Sequence, residues 1–94
     1  MLHVYILVCS DGSFYVGYTT DVQRRLESHN DGTGARHTRD HRPIRLAYSE
    51  FHPTRTAAMR RERQIKGWSH AKKEALIRKD YDRLRSLARR GSRG

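Results

Sequence analysis

The chain has 94 residues, a formal net charge of +10 and one cysteine, Cys9. Its length allows one domain with a small core, and a lone cysteine excludes an intramolecular disulfide and a cysteine-built zinc cage. The longest apolar run, Val4 to Cys9, is far below the ~20 residues of a membrane span; no basic stretch precedes it, so a signal peptide is not expected either and a cytoplasmic protein is the default.

His3 to Cys9 is rich in β-branched and aromatic residues and reads as a strand. Phe14 to Thr19 is the return strand of a hairpin. A two-residue Asp11-Gly12 turn would put Tyr5 and Tyr15 on opposite faces. A three-residue Ser10-Asp11-Gly12 loop, with Gly12 left-handed, pairs Tyr15 with Leu7 and Gly17 with Tyr5. Both phenols then share a face, and Gly17 leaves space beside them for close approach of a ligand. Thr20, with Gln23 three residues on, predicts a capping box and a helix to about His29, stopped by Asn30-Asp31-Gly32. Residues 31–43 read as a polar loop.

Ile44 to Phe51 alternates as a third strand. Pro53-Thr54 opens a second helix through Ile65, ending near Gly67. Ser69 caps a third through about Lys79. Tyr81, Leu84, Leu87 and Ala88 recur at helical spacing, so a fourth should end at Gly91. The expected order is ββαβααα: an α+β fold, with a three-stranded antiparallel sheet flanked by helices. Residues 1–79 form the body. Residues 80–94 add a basic helix and a disordered tail to the same domain.

Charge is unevenly placed. Acids and arginines balance in residues 1–53, so the whole excess lies in 54–94. Such an excess points to a polyanion, and nucleic acid is the usual one. At helical spacing Val22 and Leu26 point inward, and Arg25 and His29 share or border that stripe. Arg suits a phosphate because its planar fork stays charged and donates two parallel hydrogen bonds. The alternative is an edge Arg with a packed stem and a solvated head. Glu62 falls within the apolar face of its helix and needs a partner there, either an Arg or a divalent metal.

Together these residues resemble the GIY-YIG nuclease superfamily, and its small single-domain bacterial members in particular. Val4-Tyr5-Ile6 stands at the first signature triplet and Tyr15-Val16-Gly17 at the second, ten residues on. Arg25 follows that glycine by eight residues, His29 lies at i+4, and Glu62 sits in Ala57-Ala-Met-Arg-Arg-Glu-Arg-Gln-Ile65. The likeness covers roughly residues 2–77. It implies the fold of that family and hydrolysis of phosphodiester bonds in DNA with Mg²⁺ or Mn²⁺, with branched or nicked structures in repair or recombination as one class of substrate. Tyr5 or Tyr15 would then orient or deprotonate water, Arg25 neutralise the scissile phosphate, His29 position water, tyrosine or phosphate, and Glu62 hold the metal.

Three positions depart from the pattern. His3-Val4 replaces a leading Gly-Ile. Tyr18 stands where some members carry Lys. Lys73 and Glu74 stand where many carry Asn. The nucleic-acid contacts expected are Gly17, the loop residues Thr38 and Arg39 near His37, His41 and Arg42, and the backbone-tracking Arg61, Lys66, Lys72 and Lys73. Trp68 and Tyr48 are candidates for base stacking or for core. No cysteine or carboxylate pattern completes a zinc set around His37 and His41. A binding module without turnover, and an RNA- or ribosome-associated protein, are the competing readings. A homodimer or a targeting partner would supply specificity that this short chain lacks.

Overall fold

A computed structural model describes residues 1–91. The elements are β1 (Leu2–Val8), β2 (Phe14–Thr19), α1 (Val22–Asn30), α2 (Arg36–Arg39), β3 (Arg45–His52), α3 (Arg55–Lys66), α4 (His70–Ile77) and α5 (Tyr81–Gly91). The three strands form one antiparallel sheet in the order β2-β1-β3. The α+β fold is therefore as expected, with one element added. The tail expected beyond α5, at 92–94, lies outside the described residues.

The hairpin takes the three-residue loop. Gly12 has φ +86°, its N–H donates to the Cys9 carbonyl, and Cys9 N–H donates to Ser13. Only a residue tolerant of left-handed backbone closes such a loop cheaply. The register follows: Tyr5 opposes Gly17 and Leu7 opposes Tyr15, so the two tyrosines share a face.

Alternation on β1 divides the core into two layers. Leu2, Val4 and Ile6 pack with Val16 against Ala58, Ile65 and Leu76 of α3 and α4. Tyr5, Leu7 and Cys9 pack with Ile44, Tyr15 and Leu26 on the α1 side. Each aliphatic side chain so buried contributes about 1.5–3 kcal/mol. Asn30 fastens α1 to the start of β3: its amide donates to the Ile44 carbonyl and its side-chain oxygen accepts the Ile44 N–H. No helix among the described residues is long and apolar enough to cross a membrane.

Boundaries differ from expectation for identifiable reasons. The cap of α1 is Asp21, whose carboxylate accepts the Arg24 N–H at 3.1 Å. Thr20 does not cap, because the neighbouring Thr19 hydroxyl already holds the turn by accepting Asp21 N–H. Thr54 and Ser69 cap α3 and α4 as read. Helix α4 stops at Ile77, short of Lys79, in a left-handed closure: Lys79 has φ +57° and Asp80 N–H bonds back to the Ala75 carbonyl. The 31–43 segment is not all loop, since α2 occupies four of its residues. One turn is too short to register as a periodic pattern.

Candidate functional site

The site is assembled around the Tyr5 side chain. Tyr5 is 3% exposed and its ring lies across Gly17: a Cβ there would sit 2.5 Å from the phenolic oxygen. The space expected at Gly17 is thus filled by Tyr5 itself. Gly17 is buried beneath the phenol and is not open to a ligand, which corrects its assignment as a nucleic-acid contact.

Helix α1 brings His29 to this phenol. The Tyr5 hydroxyl stands 3.5 Å from Nε2, a long contact. His29 is 1% exposed, and the Tyr15 ring lies 5.0 Å from it between centroids. Nδ1 is 2.6 Å from the Thr38 hydroxyl, which itself donates to the Ala35 carbonyl at 2.8 Å. A carbonyl only accepts, so the Thr38 proton is committed and its oxygen must accept from Nδ1–H. This fixes the neutral tautomer of His29 and turns the Nε2 lone pair toward Tyr5. Burial, and then the charge of Arg25, push the His29 pKa below its ordinary 6.5. Gly34 admits this packing, since a Cβ there would come within 2.8 Å of the His29 Cα.

Thr38 was expected at the mouth of the site as a substrate contact. It is 0% exposed and lies behind His29, so it cannot meet a strand. Thr38 is the buried residue of α2.

Two charges act on Tyr5 in opposite senses. Burial pushes its phenol up to about 12; Tyr15 and Glu62 push the same way, and Arg25 pulls it down. Arg25 is exposed at the edge of the inward stripe. It lines one depression with Tyr18, Thr19, Thr20 and Arg55 and a second with Thr19, Thr20, Asp21, Arg24 and Ser28. Glu62 comes from α3, its side chain 19% exposed and its nearest cation Lys66 Nζ at 3.7 Å. Tyr5, Tyr15 and His29 are thus in contact, and Arg25 and Glu62 lie close enough for their charges to act on the Tyr5 phenol.

The other expected contacts are spread more widely. Lys66 sits at Glu62. Arg61 is engaged elsewhere, donating to Glu50 at 2.9 Å and to Gln64, with its guanidinium 5.3 Å from the Trp68 ring centre. Lys72 covers the same ring at 4.6 Å, so Trp68 is not free to stack on a base. Tyr48 donates to Glu50 and is likewise occupied. Lys73 is half-buried on α4. Arg39 is exposed and lines a depression with Asn30, Asp40 and Arg42. His37 bonds to Ser13 and His41 pairs with Asp11, tying the hairpin loop to α2.

Sequence reasoning overlooked Gly34, Glu50 and Arg55. The signal for Glu50 was present: Tyr48, Glu50 and His52 alternate on one strand and must share a face. Gly34 and α2 carried no comparable signal, since their role depends on a contact across the fold.

Among the described residues, no three His, Cys, Asp or Glu side chains converge to hold a metal. Glu62 nonetheless fits a hard cation. It is a half-buried oxygen donor with no hydrogen-bonded partner, and Lys66 stands beyond hydrogen-bond reach. One carboxylate, with water and substrate phosphate completing the shell, is a common way to bind Mg²⁺.

Two tyrosines, a histidine, an arginine and a half-buried carboxylate thus stand on a small α+β domain built on a three-stranded antiparallel sheet. A family model described as the GIY-YIG catalytic domain matches residues 1–75, and the chain belongs to that family. It is 54% identical over 77 residues to a UPF0213 protein of Halobacterium salinarum, covering 82% of this chain and all of that one. It is 47% identical over 75 residues to a UPF0213 protein of Bacillus pumilus, covering 80% of this chain and 76% of that one. Two solution NMR structures resemble it. The UPF0213 protein of Bacillus halodurans has a TM-score of 0.53 at 49% identity, covering 82% of this chain and 83% of that one. A protein of E. faecalis has a TM-score of 0.58 at 40% identity, covering 84% of each.

Proposed function

We propose that this protein is a metal-dependent endonuclease that hydrolyses phosphodiester bonds in DNA. The observation that carries this reading is the placement of the Tyr5 hydroxyl, 3.5 Å from Nε2 of His29 and within the influence of the Arg25 and Glu62 charges. Membership of the GIY-YIG family supports a nucleic-acid substrate.

In this reading Tyr5 and His29 act as a pair. A phenol held near pKa 12 is a poor base alone at neutral pH. His29 supplies the missing acceptor: as Tyr5 takes a proton from the attacking water, its own proton passes to Nε2. The imidazolium so formed keeps its Nδ1–H on Thr38. Tyr15, half-buried beside the same imidazole, orients the water. Water attacks phosphorus, the bond to the leaving oxygen breaks, and that oxygen takes a proton from solvent. Arg25 neutralises the charge that develops on the phosphate, an effect typically worth about 3–4 kcal/mol. Glu62 would hold the divalent ion, which would supply polarisation of the phosphate and stabilisation of the leaving oxygen.

The test is cleavage of duplex, nicked, flap, single-stranded and RNA substrates in Mg²⁺ or Mn²⁺. Arg25→Ala should lose about 100- to 1000-fold in rate and keep most of its binding. An unchanged rate removes Arg25 from the mechanism, and wild-type protein that cuts nothing in the panel overturns the nuclease reading.

A further inference from the structure

Some arginines are committed within the fold: Arg61 to Glu50, Arg39 beside Asp40, Arg78 to Glu74 and Arg85 to Asp82. Arg25 and Arg55 are among several that are not. Among the described residues neither has an ion pair or a side-chain hydrogen bond, yet both line one depression with Leu2, Tyr18, Thr19 and Thr20. Two like charges facing one cavity repel each other unless an anion lies between them.

The placement of Arg55 is not explained by helix stability. It is the first residue of α3, where the helix dipole disfavours a cation, and no acid occupies that first turn. Its guanidinium lies 5.9 Å from the centre of the Tyr18 ring. That contact steadies the side chain while its hydrogen-bond donors, which lie in the guanidinium plane, stay available.

Resting on the nuclease reading, we propose that this depression binds a second phosphate of the DNA strand, next to the one at Arg25, with Arg55 as its cation. The strand would then run along the outer edge of β2, past the Thr19-Thr20 turn. Tyr18 serves as the platform that aims Arg55. Arg25 acts on the reacting phosphate and Arg55 on its neighbour, so loss of Arg55 should weaken binding without slowing the bound substrate.

The test is titration of a fluorescein-labelled nicked DNA duplex, read by anisotropy across a salt series without divalent metal, followed by cleavage kinetics in Mg²⁺. Arg55→Ala should weaken binding about tenfold and reduce the salt slope by about 1. In cleavage, KM should rise and kcat stay within twofold. Arg55→Lys should restore part of the affinity, because it keeps the charge and loses the fork. Arg78→Ala, which removes an equal charge elsewhere, should change affinity less than twofold. Arg55→Ala indistinguishable from Arg78→Ala overturns the proposal, as does wild-type protein with no salt-dependent binding. Binding that behaves as expected without any cleavage would overturn the nuclease reading and leave the phosphate pocket standing.

Discussion

Glu50 and Glu62 are buried to the same degree, with side chains 18% and 19% exposed, and they are treated in opposite ways. Glu50 accepts from the Tyr48 hydroxyl at 2.7 Å and from Arg61 at 2.9 Å, and meets His52 Nε2 at 2.6 Å. Burial alone would raise its pKa, but the hydrogen bonds from Tyr48, Arg61 and His52 outweigh it and hold the carboxyl below its ordinary 4.5. Glu62 has only Lys66, at 3.7 Å. Equal burial thus hides unequal satisfaction. A carboxylate saturated by its own fold stabilises that fold, whereas one left with spare lone pairs has capacity for something the chain does not contain.

The sharpest way to break this comparison is to remove both charges in turn. Glu62→Gln should lower Mg²⁺-dependent cleavage by about 1000-fold while thermal unfolding barely moves, since its one ion pair among the described residues, an i,i+4 helix pair with the exposed Lys66, is worth only about 0.3–0.5 kcal/mol. Glu62→Gln with full activity would remove the carboxylate from the reaction.

A smaller effect is expected behind His29. Thr38→Val deletes the acceptor that fixes its tautomer and should cut kcat about tenfold with KM unchanged. Thr38→Ser, which keeps the hydroxyl, should recover most of it. Equal losses in both variants would mean that Thr38 matters only for packing.

Glu50→Gln should cost about 2 kcal/mol in stability, as hydrogen bonds to a charged group are lost, and leave kcat unchanged where the protein is folded. Denaturant unfolding reads the first and cleavage the second. The sign of the pH dependence follows from the folded pKa. Glu50 is depressed in the native state, so its contribution is present above the unfolded value near 4.5 and is lost as pH falls through the lower folded value.

The mildest prediction concerns His29. Its pKa is depressed in the native state, so the folded protein resists protonation that the unfolded chain accepts. Stability should therefore fall as pH drops below 6.5, and kcat should show an acid limb with its midpoint under that value. A limb that persists in His29→Gln would assign it to another group.

The strands and the helix caps Thr54 and Ser69 were legible, and the five residues proposed for the site could be nominated, because each leaves a local mark. β-branched and aromatic composition marks β1, alternation marks β3, Thr54 and Ser69 mark helix starts, and Gly12 marks the turn that sets the tyrosine register. What stayed hidden depends on contacts between distant segments. Nothing near Thr38 says that it will lie under an imidazole nine residues earlier. Nothing near Arg61 says that Glu50 will claim it in place of a phosphate. Gly17 shows the limit most clearly: the register predicted room above it, but not that Tyr5 would fill that room.

The strand order β2-β1-β3 puts Tyr5 on the central strand, while its ring reaches over Gly17 toward the sheet edge. Central strands are usually among the last segments to open. The amide of Tyr5 should therefore exchange with deuterium among the slowest in the molecule, far slower than those of 31–43. The Tyr5 hydroxyl would inherit the stillness of the sheet's middle, and local breathing of the loops would move the histidine's support before it moved the phenol.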